Sequence, residues 1–148
     1  MKSKNKIAII VIVLIIFGIT AYSWFHVSGK EIGGALEISP ECLVTIRVGN
    51  EEEKEYILDD EQIDMLQTLI LTSSFTRSIS DVVIYPAGTE NYTILIDRNN
   101  QTDFLTIHSA GNEYISIPDQ FSGKHLKINN PEWEASLKKF ISLSKQNI

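Results

Sequence analysis

Cys42, three histidines and several carboxylate clusters are the residues here whose types could do chemistry. A cysteine nucleophile needs a base within hydrogen-bond reach and an electropositive setting that favours the thiolate. In "CLVTIRVG", Cys42 alternates with Val44, Ile46 and Val48, so a period of two places the thiol on the apolar face of a strand. That phase predicts a buried, inert thiol. His26 comes directly after an apolar segment, His108 shares a strand face with Thr106, and His125 shares one with Lys127. His108 and His125 are therefore expected on a solvent-facing surface. A zinc site needs three or four ligands, usually paired at i, i+4 or as two cysteines in a CxxC spacing, and neither pattern occurs.

The acidic stretches read the same way. "EEEKE" (Glu51–Glu55) lacks the alternation of carboxylates with turn residues that wraps a calcium ion. "DRNNQTD" (Asp97–Asp103) does place Asp97, Asn99 and Gln101 at alternating positions, but it lacks the turn glycine and the closing bidentate glutamate. Hairpin turns are built from these same residues. No GxSxG, Walker or GxGxxG sequence is present. The expectation is thus no catalytic, no cofactor-binding and no metal-ligating residue. A pair of carboxylates converging in space, as an envelope hydrolase or transferase would use, is invisible to sequence and stays open as the alternative.

The elements that position these residues emerge from patterning. "CLVTIRVG" and "YIL" read as a hairpin around Gly49-Asn50 and the acidic tip. Asp59 caps a helix over Asp60–Leu71, with Gln62 completing a capping box and Ile63, Leu66, Leu69 and Ile70 forming its apolar stripe. "TSSFTRSIS" breaks it. Then comes a meander: "DVVIY", "NYTILID", "DFLTIHS", "EYISI" and a short "KHLKI". Asn130-Pro131 is expected to start a last helix with Asn as cap and Pro at the first position, its stripe being Trp133, Leu137, Phe140 and Ile141. Short turns and two amphipathic helices predict an α+β domain, a twisted antiparallel sheet with both helices on one face.

Ahead of this domain, Ile7 to Phe25 carries no charge. Nineteen such positions make a helix of about 28 Å, close to the hydrocarbon thickness of a bilayer. Lys2, Lys4 and Lys6 flank it, and no acidic residue precedes Glu31, so the amino terminus is expected in the cytoplasm and the rest outside. Tyr22, Trp24 and Phe25 suit the outer interface. A cleavable signal peptide is the rival reading, with small residues around Ala21-Tyr22-Ser23, and it would make the domain secreted. A lipoprotein does not fit, because Cys42 lies far beyond the apolar run. The division expected is residues 1–25 as flank and anchor, 26–36 ("HVSGKEIGGAL") as a glycine-containing tether, and 37–148 as the extracytoplasmic domain.

Ten Lys and Arg against nineteen Asp and Glu leave the portion after Phe25 at −9, compared with −6 for the whole chain. Such a surface repels phosphate backbones, which argues against nucleic acid as a partner, and it would hold the domain off an anionic membrane. One cysteine permits no internal disulfide, so an exported domain of this kind depends on its core.

The stretch "TIRVGNEEEKEYILDDEQIDMLQTLI", behind a lysine-flanked apolar leader, resembles small single-pass, membrane-anchored extracytoplasmic proteins of Gram-positive bacteria from families of unknown function. The resemblance covers residues 1–75 and implies no catalytic residue. Together with the missing motifs it leads to an expected binding or accessory domain. Its partners would be the lipid bilayer, through Ile7–Phe25, and an extracytoplasmic protein, peptide or cell-envelope polymer, with no cofactor.

Overall fold

A computed structural model of the chain describes residues 2–49, 54–79, 88–98, 105–117 and 125–147. Helix α1 runs from Lys2 to Phe25, and its stretch Lys6–Phe25, of mean hydropathy 2.6 and with none of it buried in the protein, is long and apolar enough to cross a membrane.

Immediately after α1 the chain is structured, which corrects the expected tether. His26–Ser28 form strand β1 and Gly29–Leu36 form helix α2. Val27, Ile32 and Leu36 are fully buried, so this segment belongs to the core and the domain begins at residue 26, not 37. The physical reason lies in "SGKE". Ser28 Oγ accepts the Glu31 N–H (3.3 Å) while the Ser28 N–H donates to Glu31 Oε2 (2.9 Å), a capping box that nucleates the helix despite three glycines. α2 ends at Glu37, whose left-handed backbone (φ 48°) lets its N–H return to the Gly33 carbonyl.

The strands are β2 (Leu43–Gly49), β3 (Lys54–Ile57), β4 (Ser74–Arg77), β5 (Asn91–Asp97), β6 (Leu105–Ala110), β7 (Tyr114–Ser116), β8 (Leu126–Ile128) and β9 (Lys145–Asn147). Among the described residues they make one nine-stranded sheet in the order β1-β4-β8-β7-β6-β5-β2-β3-β9, and every pairing is antiparallel. Helix α3 (Asp60–Thr72) carries the capping box Asp59/Gln62 that the sequence announces. β4 is hidden in "TSSFTRSIS": its one large apolar residue, Phe75, is fully buried, while hydroxyl side chains disguise the strand. "DVVIY" (residues 81–85) lies outside the described residues.

Helix α4 runs from Trp133 to Leu143, starting two residues later than the expected first helical position, Pro131. Asn130 Oδ1 instead accepts the Glu132 N–H (3.0 Å) in a turn before the helix, and Glu132 takes the cap position without a side-chain cap bond. β9 then pairs with β3, an edge addition that no alternating apolar pattern marks.

The α+β expectation is therefore met, with three helices and not two against the sheet. Val44, Ile46, Tyr92, Ile94, Ile96, Ile107, Ile115 and Leu126 point to one face, and Leu36, Ile63, Leu66, Ile70, Trp133 and Leu137 from the helices join them in a single core. Alternation sends the intervening residues of every strand to the other face.

Candidate functional site

Register decides what lies together on that second face. Ser116 stands opposite His108, His108 opposite Thr93, Thr93 opposite Arg47 and Arg47 opposite Glu55. One polar row thus crosses five strands. Thr93 Oγ1 and His108 Nδ1 lie 3.3 Å apart, and Arg47 Nε donates to Glu55 Oε1 at 2.6 Å. The ion pair is only half-buried and still reached by solvent, so it orders the surface more than it stabilises the fold.

At the β7 end of the row a concavity of about 250 Å³ opens, lined by Asn91, Thr93, His108, Ser116 and His125 among others. His125 enters from the chain just before β8, where its carbonyl accepts the Ser78 N–H. Its ring Nδ1 is enclosed with no hydrogen-bond partner among the described residues, a polar atom left to be satisfied. The two histidines that the sequence places separately on solvent-facing strands therefore meet around one hollow. His108 is exposed, as expected, and His125 is half-buried. Thr93, Ser116 and Asn91 escape a reading of the sequence, because only the strand register reveals that they converge. With imidazole, hydroxyl and amide groups the hollow can hydrogen-bond a polar ligand.

The other candidate residues fall elsewhere. Cys42 is buried at 7% exposure within the core cluster, its Sγ 3.6 Å from Ser39 Oγ and 3.9 Å from the Glu37 carbonyl. His26 stacks on Tyr22, ring centroids 5.4 Å apart, at the end of α1. Of "EEEKE", Lys54 and Glu55 lie in β3 and residues 51–53 fall outside the described residues; of "DRNNQTD", Asp97 ends β5, Arg98 bonds Glu37 across 3.3 Å, and 99–103 fall outside them. Among the described residues no group of three metal-ligating side chains assembles.

Two carboxylates do converge, on a tyrosine. Tyr92, 1% exposed, donates its hydroxyl to Glu90 Oε2 (2.7 Å) and lies 3.5 Å from Glu134 Oε1. Lys138 Nζ bridges the same carboxylates at 3.4 and 2.8 Å. The Tyr92 hydroxyl holds the Glu90 carboxyl below its usual range, with Lys138 adding to the effect, while burial and then Glu90 push the phenol well above its usual value. A general acid requires the opposite shift in its carboxyl. The cluster instead ties the start of α4 to the start of β5.

A broader groove of about 560 Å³ runs between α3 and α4, past Glu61, Asp64, Met65, Thr68 and Lys139. In comparisons with known proteins, no family model, no curated protein and no solved structure matches this chain.

Proposed function

We propose that the chain is a single-pass membrane protein whose domain, outside the cell membrane, is a binding or accessory module for an extracytoplasmic protein, peptide or envelope polymer. The observation that carries the reading is the two-sidedness of the sheet. The helices cover one face, and the other presents a polar row ending in a hollow lined by two histidines and by hydroxyl and amide side chains. Large polar surfaces of this kind bind through hydrogen bonds and complementarity.

Anchoring is supported by the charge-free Ile7–Phe25 segment and its Lys2, Lys4, Lys6 flank. Retention of the leader gains support from Trp24, because the Arg77 guanidinium lies over its ring, 5.7 Å from the centroid, so the segment next to Ala21-Tyr22-Ser23 packs on the folded domain. Hydrolase or transferase activity through paired carboxylates needs a general acid, and the lowered Glu90 carboxyl does not supply one.

The test has two arms. Protease added to intact protoplasts should remove the domain and spare the leader; a mature protein beginning near Trp24 and free in the medium would overturn the anchor. A photo-crosslinking residue at His108 should capture an extracytoplasmic partner that the same residue at exposed Asp60, on α3, does not. Equal capture at both positions would overturn the assignment of the binding face.

A further inference from the structure

We propose that the end of β4, from Arg77 to Ile79, is seated in the phospholipid headgroup layer, with Arg77 pairing with lipid phosphate and Ile79 entering the acyl boundary. The proposal rests on the reading of α1 as an anchor and adds a second contact between the protein and the bilayer.

No residue intervenes between α1 and the sheet: Phe25 ends the helix and His26 begins β1. If Ile7–Phe25 fills the hydrocarbon layer, β1 must start inside the headgroup region, which is only roughly 5–7 Å deep on each side. The expected picture of a domain floating on a flexible tether is thereby replaced by one docked at the surface.

The register then sets the direction of β4. Ser74 pairs with Ser28 and Thr76 with His26, so β4 runs back toward the bilayer as β1 leaves it. Arg77 comes next, and its guanidinium has already reached the level of Trp24. Ser78 prolongs the descent, donating its N–H to the His125 carbonyl at 2.9 Å. Ile79 is next at 80% exposure, more than any large hydrophobic residue of α1, of which Phe17 reaches 71%. An isoleucine so exposed, two residues beyond an arginine and beside an aromatic belt, suits an interface where apolar side chains enter the acyl boundary and guanidinium groups bind phosphate.

Local charge agrees, although the chain as a whole is acidic. Strands β1, β4 and β8 ("HVS", "SFTR" and "LKI") contain Arg77 and Lys127 and no carboxylate. The charge of −9 on the portion after Phe25 therefore does not describe these three strands, although Asp81 follows Ile79 by two residues in the sequence. Bidentate pairing of a guanidinium with phosphate is stronger than a lysine contact and survives partial burial.

The test uses the full chain in nanodiscs of phosphatidylglycerol and phosphatidylcholine, with a nitroxide on Ile79→Cys and, as reference, on Asp60→Cys. The unsubstituted chain measures any background from Cys42. The ratio of oxygen to nickel-chelate accessibility at position 79 should exceed that at position 60 several-fold, and Arg77→Glu should remove most of that excess while Arg77→Lys retains only part of it. A label at 79 as aqueous as the label at 60, in protein that stays in the disc, would overturn the proposal and leave Ile79 to a soluble partner. An unchanged ratio in Arg77→Glu would remove Arg77 as the phosphate ligand. Protein that leaves the disc altogether would overturn the anchor, and this inference with it.

Discussion

The α-carbon of Gly29 is pressed against the carbonyl oxygen of Ile70 so closely that a β-carbon at this position would overlap it. The Gly29 N–H also donates to the Ser73 carbonyl at 2.9 Å, so the first turn of α2 is fastened to the last turn of α3. Gly34, in the same helix, has open space around it.

The two glycines give opposite predictions. Gly29→Ala forces backbone apart and should cost about 3 kcal/mol, in the range of overpacked cores. Gly34→Ala removes a helix-destabilising residue from an uncrowded position and should gain about 0.5–1 kcal/mol. Urea unfolding of the detergent-solubilised chain measures both. Two neutral substitutions would restore the flexible tether.

How legible the chain is depends on whether a signal is local. The capping box at Asp59 and Gln62 and the alternation in "NYTILID" are complete within a few residues, and α3 and β5 form where those signals lie. In α2 the local signals conflict, because Gly29, Gly33 and Gly34 oppose the Ser28/Glu31 box, and only burial of Ile32 and Leu36 against α3 decides the outcome. β4 has four residues with one buried apolar side chain, too short for a period to register. The hollow is less legible still. Asn91, Thr93, His108, Ser116 and His125 sit on or beside four different strands, and their convergence is a property of pairing that no stretch of sequence contains.

Cys42 should behave as a core residue. With the thiol at 7% exposure, a maleimide should modify the native protein far more slowly than the urea-unfolded chain. Cys42→Ala should leave partner capture intact at a modest stability loss of about 1 kcal/mol, whereas Cys42→Asp buries a charge and should prevent folding. Rapid labelling of native protein would make the thiol a reactive site.

Trp133 carries the attachment of α4. It is fully buried, meets Phe75 edge to face at 5.8 Å, and donates Nε1–H to Ser109 Oγ at 2.9 Å. Trp133→Ala should cost about 3–5 kcal/mol, a large part of the stability of a small domain. Deleting residues from Pro131 onward removes β9 from β3 as well and should abolish cooperative unfolding, read by circular dichroism. A truncated chain that still unfolds cooperatively would show that α4 is dispensable.

The tyrosine–carboxylate cluster should set the pH limits of that attachment. The Glu90 carboxyl, lowered first by the Tyr92 hydroxyl, is held below its ordinary value of 4.5. A depressed carboxylate contributes stability above its unfolded value, and that contribution disappears as pH falls through the folded one. Lys138 is raised above 10.5, chiefly by its bond to Glu134, and Tyr92 is raised above 10.0 by burial and then Glu90. For both, the sign is reversed: their contribution is complete below the unfolded value and is lost as pH climbs toward the folded one. The midpoint of thermal unfolding should therefore hold steady with respect to this cluster between about pH 5 and 9.5, and decline on either side. Glu90→Gln keeps a hydrogen-bond acceptor for Tyr92 but cannot titrate, so it should flatten the acid limb and leave part of the alkaline one. Tyr92→Phe should flatten part of both, since the phenol disappears together with the bond that lowers Glu90. An acid limb of unchanged slope in Glu90→Gln would move the responsible proton to another carboxyl.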